Sequence, residues 1–395
     1  MLPCFHRVNL GNWYFKGAPL RILYLTADSY GGYGGIAQYN INFIEALALM
    51  PETKEVVVLP RMVSAPPGPI PDKVRMRLDA GAGKMQYKRG GKLTFMRCLA
   101  SEMIRNHRFD LIICAHINLL PLSQFLGRLI NARITALTYG IEAWTKPANK
   151  WCEKACRRLD HFISIRRYTA SRIIEWAEIE GCPWDMVPNC IDIGKYGKGE
   201  KNLELLARYG LEGKRIILTV GRLDPSEINK GFDEVIEVMP HLISVYPDLR
   251  YLIVGEGVDQ RRLEQKTEEY GVRDKIVFTG RVTEEEKVEH FRLGDVFVMA
   301  GTNPDFDLYP LRFVFLEAMA CGLPVVGSRP LLESEAKAPE TQMMDAVDPN
   351  DKDDFINAIL RHLQCPVKHI PDQLKDYGKE NHNKRVADVI RKLMA

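Results

Sequence analysis

Several groups of residues have types and spacings suited to handling a phosphorylated ligand. Gly31-Gly32-Tyr33-Gly34-Gly35 follows the apolar run RILYLTA at 21–27 and opens a helical pattern. Glycines there let backbone N–H groups approach a phosphate, and a helix N-terminus adds about half a positive charge. The loop is not a G-x-G-x-x-G match, so it reads equally as a tight strand-to-helix turn. Gly221-Arg222 ends the run RIILTV at 215–220, and Lys230-Gly231 opens the next helix. At the carboxyl edge of a parallel sheet, an Arg fork and a Lys point charge can bind a diphosphate; two solvated surface cations are the plain alternative. His116 ends the run DLIICAH, where it serves either chemistry or structure. Asp305-Phe306-Asp307 pairs carboxylates in a way that suits a divalent cation bridging phosphates, or else is simply a short acidic loop. Cys152 and Cys156 stand four apart without a second ligand pair, and zinc takes four ligands. No H-E-x-x-H pattern occurs. No metal or other cofactor is expected.

These residues must be held by elements, and the chain alternates strand-like and helix-like runs throughout. In the first half the strand candidates are 21–27, 55–60, 110–116, 134–140 and 161–165, all short and rich in branched residues without alternation. Strands buried on both faces of a parallel sheet read this way. A helix over 36–49 places Ile36, Phe43, Ile44 and Leu47 on one face. In the second half strands at 215–220, 251–257, 275–280, DVFVMAG and PVVGSR alternate with helices at 232–245, 258–270, TEEEKVEHFRLG and near 313–321. Strict β-α-β-α order predicts Rossmann-like doubly wound sheets. The polar, Gly/Lys-rich stretch 193–205 predicts a boundary. The expected domains are therefore 1–195, 196–375 and a terminal helix, 376–395, whose Val386, Val389, Ile390 and Leu393 share a face.

Composition narrows the class. The 395 residues are 46% hydrophobic and 27% charged, ordinary for a soluble globular protein. No run of about 18 apolar residues is present, and the first twenty residues read as a short extension rather than a signal peptide. Nine scattered cysteines favour reduced thiols in the cytoplasm over a disulfide framework. The net charge of +3 hides an asymmetry: residues 1–195 carry 26 basic and 16 acidic side chains, the remainder 28 and 35. Either an anionic partner, such as a membrane surface or a lipid-linked phosphate, meets the basic half, or the two halves attract one another. No nucleic-acid-binding pattern appears. The basic, partly amphipathic segment from Lys84 to Arg108 reads either as a peripheral membrane contact or as a core-facing helix with a basic outer face.

The stretch YPLRFVFLEAMACGLPVVGSR at 309–329 resembles the donor signature of retaining GT-B glycosyltransferases, the group called glycosyltransferase family four. GGYGGIAQYN, VGRLDPSEINKGFDEVI, Gly280-Arg281-Val282 and VPNCID, with Asn189 and Asp192, resemble the same family. The likeness covers roughly 20–395 and is strongest over 215–330. It implies a GT-B fold: two Rossmann-like domains facing a cleft, with the last helix crossing back to the N-terminal domain. It implies that Arg222 and Lys230 neutralise a leaving diphosphate without a metal. It places Gly34, Gly35, Gly221, Arg281, Val282, Phe313 and Val314 at the donor. It gives Glu317 the ribose hydroxyls through both carboxylate oxygens, puts His116 beside the transferred sugar, and puts Tyr33 and Glu142 on the acceptor side.

The family's opening E-G-F-G is replaced by Tyr309-Pro310-Leu311-Arg312, in which Pro310 lacks an N–H and Arg312 brings a substitute cation. The resemblance thus implies a retaining, metal-independent transferase that moves a sugar from a nucleotide-diphospho-sugar to a hydroxyl of a polysaccharide or lipid-linked glycan. The replaced residues motivate the competing reading, a non-catalytic nucleotide- or glycan-binding protein, or the partner of an active transferase.

Overall fold

The computed structural model describes residues 19–395, apart from 33, 78–90, 106–107, 226–229, 302–312, 329–342, 365–369 and 371. The chain divides into two compact units. Unit 1 is Met1–Pro188 with Glu380–Ala395, and unit 2 is Asn189–Lys379. The division falls ahead of the Gly/Lys-rich stretch because Ile191 already pairs with unit 2, donating its N–H to the Tyr377 carbonyl at 2.8 Å. That stretch holds two short helices instead of an open linker.

Unit 1 contains β1 (Leu20–Thr26), α1 (Gly35–Leu49), β2 (Thr53–Pro60), β3 (Val74–Met76), α2 (Gly91–Arg105), β4 (Leu111–Ala115), α3 (Leu120–Ile130), β5 (Arg133–Thr138), α4 (Ile141–Trp144), α5 (Lys150–Cys156), β6 (Phe162–Ser164), α6 (Arg167–Ala177) and β7 (Trp184–Met186). The strands form one parallel sheet in the order β3-β2-β1-β4-β5-β6-β7. Ile22, Leu23, Tyr24 and Leu25 on the central strand are fully buried. Both faces of this strand are therefore covered, which is why it reads as a continuous apolar run. On one face Leu23 and Leu25 share a core with Phe95 and Leu99 of α2, Leu120 and Leu126 of α3, and Cys156 of α5. On the other, Tyr24 meets Phe43 of α1, and Phe43 and Tyr39 pack edge-on to His382 of the last helix.

Unit 2 contains α7 (Ile193–Tyr196), α8 (Leu203–Tyr209), β8 (Arg215–Val220), α9 (Phe232–Val245), β9 (Leu249–Val254), α10 (Gln260–Glu269), β10 (Ile276–Phe278), α11 (Glu284–Leu293), β11 (Val296–Met299), α12 (Phe313–Ala320), β12 (Val325–Ser328), β13 (Met344–Val347) and α13 (Lys352–Gln364). Its parallel sheet has the order β10-β9-β8-β11-β12-β13. The chain ends in α14 (Lys379–Met394), which belongs to unit 1 from Glu380 onward. Each order reverses direction beside its first strand, β1 or β8, and open α/β sheets bind ligands at the strands' carboxyl ends near such reversals. The strand runs recognised in the sequence all form strands. The short β3, β7 and β13 were not anticipated: all three are edge strands of three or four residues, too short to show a period.

Candidate active site

In unit 1 the carboxyl ends of β1, β4 and β5 are tied together by buried neutral side chains. Asn40 of α1 is fully buried. Its Oδ1 accepts from the Tyr24 hydroxyl at 2.5 Å and lies 2.6 Å from the Tyr139 hydroxyl. Its Nδ2 donates to Thr26 Oγ1 at 3.1 Å and to the Asp28 carbonyl at 2.9 Å. The Tyr139 hydroxyl also lies 3.1 Å from the Ala115 carbonyl at the end of β4. Both tyrosines are pushed far above the usual phenol range, first by burial. They stay neutral, so one asparagine holds the ends of three strands without a charge.

The glycine loop hangs from this network. The Gly31 carbonyl accepts from Ser64 and Ala65 N–H at 2.9 and 2.8 Å, at a φ of 79°. Gly34 caps α1 at φ 89° and ψ −179°, and no side chain caps the helix. A Cβ at Gly34 would meet nothing within 4 Å, so its backbone angle is what calls for glycine there. Gly35 is the first residue of α1. Tyr33 lies outside the described residues.

His116 follows β4, and its Nδ1 accepts from Asn118 N–H at 3.1 Å, which leaves Nε2 to carry the proton of the neutral ring. Burial pulls its pKa below the ordinary value, opposed by Glu142 and reinforced by Arg61. Glu142 Oε1 accepts from Tyr139 N–H at 2.6 Å and Gly140 N–H at 3.1 Å. That oxygen closes the turn after β5, a backbone role the sequence reading did not include.

In unit 2 the carboxyl edge is built from close backbone contacts. A Cβ on Gly221 would meet Cδ and Cε of Lys230 at 3.2 and 3.4 Å, so the lysine stem lies across the glycine. Gly231 has a φ of 76°, and its Cβ would run into the Ala300 backbone. Cβ atoms on Gly255 and Gly257 would collide with the Gly221 and Leu223 carbonyls. Gly255 N–H donates to the Gly280 carbonyl at 3.1 Å. These approaches draw the ends of β8, β9 and β10 together, and with them Arg222, Lys230 and Arg281. Arg222 is exposed, and Arg281 lies 3.6 Å from Glu256 with both side chains more than half exposed. Val282 and Val314 are partly buried against the unit 2 core, and Phe313 opens α12 half-buried. Arg312, Tyr309, Pro310, Leu311 and the Asp305–Asp307 triplet lie outside the described residues.

Glu317 on α12 is 4% exposed. Its Oε1 accepts from the Tyr196 hydroxyl at 2.9 Å and from Lys287 Nζ at 2.8 Å. Its Oε2 is buried and has no hydrogen-bond partner among the described residues. Of the two oxygens expected at the ribose, Oε1 already has two donors within the protein. Burial alone would draw the Lys287 ammonium down, but Glu317 and Glu284 outweigh it and its pKa is raised. Burial, with Glu317 beside it, drives the Tyr196 phenol well up.

Among the described residues no group of three or more His, Cys, Asp or Glu side chains could hold a metal ion. Cys156 faces the core, and burial pushes its thiol up to about 12. Sequence reasoning missed Asn40, Tyr196 and Lys287. Asn40 stands in the quoted GGYGGIAQYN segment and Lys287 in the predicted TEEEKVEHFRLG helix, but nothing local marks their partners.

Comparison with known proteins places this arrangement. Residues 203–381 match the family described as Glycosyl transferases group 1, and residues 33–195 match Glycosyltransferase Family 4. The chain belongs to this family of glycosyltransferases. It is 31% identical over 230 residues, 56% of each chain, to a GDP-mannose-dependent alpha-(1-6)-phosphatidylinositol monomannoside mannosyltransferase of Mycolicibacterium smegmatis. It is 29% identical over 259 residues to the monoacylated phosphatidylinositol monomannoside mannosyltransferase of Corynebacterium glutamicum, over 63% of this chain and 66% of that one. The matched stretches thus span between half and two thirds of these relatives' lengths. The crystal structure of Anabaena Alr3699/HepE in complex with UDP superposes with a TM-score of 0.67 at 16% identity, over 94% of this chain and all of that one. The lipopolysaccharide outer core galactosyltransferase WaaB superposes with a TM-score of 0.62 at 17% identity, over 94% of this chain and 99% of that one. The fold of this family member is GT-B: two parallel-sheet Rossmann-like domains of seven and six strands.

Proposed function

We propose that the chain is a retaining, metal-independent glycosyltransferase that takes a sugar from a nucleoside-diphosphate donor and passes it to a hydroxyl of a lipid-linked glycan or polysaccharide. The observation that carries this is the gathering of Arg222, Lys230 and Arg281 at the carboxyl edge of unit 2 by glycine close approaches. Fixed cations there stabilise the negative charge that develops on the diphosphate as its bond to the sugar breaks. The acceptor oxygen attacks from the face the diphosphate leaves, and the departing phosphate oxygen takes the acceptor's proton. Glu317 receives the ribose hydroxyls. Neutral His116, with its proton on Nε2, donates to a sugar oxygen, while Gly34 and Gly35 offer N–H groups to phosphate. The names of the mycobacterial and corynebacterial relatives favour GDP-mannose as donor and a phosphatidylinositol glycan as acceptor.

Turnover of UDP-, GDP- and ADP-sugars, alone and with lipid-linked acceptors, tests the reading. Turnover that survives EDTA, is abolished by Arg222→Ala and retains the anomeric configuration supports it. Tight donor binding with neither hydrolysis nor transfer overturns it in favour of a non-catalytic binding protein. Loss of activity in EDTA that added Mg²⁺ restores removes the metal-independent part.

A lipid acceptor is supported by the outer surface of unit 1. Helices α2, α3 and α5 cover one face of the sheet, and they carry Leu93, Met96, Ile104, Phe125, Leu129 and Trp151 outward, exposed by 46 to 77%. Exposed Lys92, Arg97, Arg105, Arg128, Lys150 and Lys154 lie on the same helices. Their two acids are engaged inside the protein: Glu102 is fully buried between Arg75 and Arg77, and Glu153 pairs with Lys146 and Arg157. Exposed apolar side chains and exposed cations on the same helices fit an anionic lipid surface. No described helix is long and apolar enough to cross a membrane. Co-sedimentation with phosphatidylserine vesicles but not phosphatidylcholine vesicles, lost in Leu93→Glu/Ile104→Glu, is expected. Equal binding to both vesicle types, or to neither, removes the membrane contact.

A further inference from the structure

Glu317 is nearly buried, yet its two oxygens differ. Oε1 has two donors, Tyr196 from α7 at 2.9 Å and Lys287 from α11 at 2.8 Å. These donors lie 121 and 30 positions away in the chain, so three helices converge on one oxygen. Lys287 also reaches Glu284 at 2.8 Å, but Glu284 is 61% exposed where the Glu317 side chain is 5% exposed. Water can serve the first carboxylate, so the cation matters chiefly to the second. Packing holds the donors in turn: Tyr196 meets Phe291 edge-on and belongs to the unit 2 core, and the Lys287 ammonium sits 5.7 Å from the Tyr196 ring centre. Oε2 is buried and has no partner among the described residues. A buried carboxylate oxygen without a donor is expensive, and native proteins keep few such groups without a use. A carboxylate oxygen accepts about two hydrogen bonds, which matches the two hydroxyls of a ribose.

We propose that Tyr196 and Lys287 are positioning residues for nucleotide recognition: by clamping Oε1 of Glu317 they fix the carboxylate so that Oε2 alone is offered to the ribose hydroxyls. The inference rests on the placement of Glu317 at the ribose proposed above. Neither residue touches the reacting atoms. Their effect falls on donor affinity and on discrimination between ribose and deoxyribose.

Calorimetric titration of the full chain with GDP, UDP, ADP and their 2′-deoxy and 3′-deoxy forms tests the proposal. The wild type is expected to bind the preferred ribonucleotide about tenfold more tightly than its deoxy forms, the scale of one hydrogen bond to a charged group. Lys287→Met and Tyr196→Phe are expected to weaken the ribonucleotide about tenfold and leave the deoxy forms nearly unchanged, so that discrimination collapses toward one. Lys287→Arg restores most of it. If Lys287→Met fails to fold, Tyr196→Phe, which keeps the ion pair, carries the test. Equal weakening of ribo and deoxy forms in the variants shows a purely structural staple and overturns the proposal while Glu317 keeps its assignment. A wild type that binds nucleotide without regard to the ribose hydroxyls removes Glu317 from the ribose and the proposal with it. A wild type that binds none of GDP, UDP and ADP overturns the donor reading itself.

Discussion

At the carboxyl edge of unit 1, side chains hold the loops: Asn40 bonds the ends of β1 and β5, and Tyr139 reaches the end of β4, with no charge among them. At the corresponding edge of unit 2, backbone packing holds the loops: Gly221, Gly255, Gly257 and Gly280 bring three turns into contact, and these turns carry Arg222, Lys230 and Arg281, with Glu256 beside Arg281. The same kind of sheet therefore presents a neutral polar edge in one unit and a cationic edge in the other. A diphosphate calls for the second, because it carries the opposite charge. A hydroxyl acceptor is better served by the first, because a neutral donor such as His116 orients a sugar oxygen without trapping an anion. Glycine can build this edge because, without a Cβ, it lets the turns approach one another at backbone distance.

The contrast breaks if the charges prove dispensable. Arg222→Ala and Lys230→Ala are each expected to cut sugar turnover by about a hundredfold to a thousandfold, the loss typical of one charge-stabilising donor. The exposed Arg222 variant should unfold in urea at the wild-type midpoint. Activity above a tenth of wild type in both would move the diphosphate elsewhere.

Asn40→Leu attacks the other edge through stability. It leaves the buried Tyr24 hydroxyl without its partner, while the Tyr139 hydroxyl keeps the Ala115 carbonyl and the Asp28 carbonyl keeps the Thr26 hydroxyl; one buried orphan costs about 1–3 kcal/mol, so a loss of about 2 kcal/mol is expected in urea unfolding. A loss under about 1 kcal/mol would mean that this network is not what ties the three strands together.

Glycine substitutions sharpen the difference between backbone and side-chain control. Gly34→Ala is expected to cost about 1–3 kcal/mol because only glycine readily adopts that angle. Gly221→Ala should leave stability nearly intact while displacing the Lys230 stem, raising the donor KM more than it lowers kcat. The opposite pattern, stability lost at Gly221 and kept at Gly34, would reverse the assignment.

The smallest effect concerns pH. Burial depresses the pKa of His116 and of His161, whose ring is shared between Thr135 at 2.8 Å and Asp185 at 3.0 Å. An unfolded chain then binds more protons than the folded one just below about pH 6.5. The stability these histidines protect is complete above that pH and is lost as pH falls through their depressed folded values. His161→Gln should flatten the acid limb of the unfolding free energy; an unchanged limb would show that His161 does not contribute to it.

Much of this was legible in the residues. The apolar runs of β1, β2, β4, β5, β8, β9 and β11 announce strands covered on both faces, and helices between them impose parallel sheets. Gly34, Gly221, Arg222, Lys230 and Glu317 stand out because local backbone geometry and charge leave marks at fixed spacing. Their surroundings did not. Edge strands such as β3 and β13 are too short for a period. Glu142 reads as a free carboxylate until its Oε1 is seen closing a turn. The clamp on Glu317 depends on Tyr196, 121 residues away, and the Asn40 network on Tyr139, 99 residues away. Periodicity and propensity act over a few residues, so they determine where helices and strands run and which glycines and cations sit at strand ends. Which side chains then meet is decided by packing among distant segments, and so is the state of each chemical group: His116 neutral, Lys287 paired, one Glu317 oxygen taken and the other buried without a partner among the described residues.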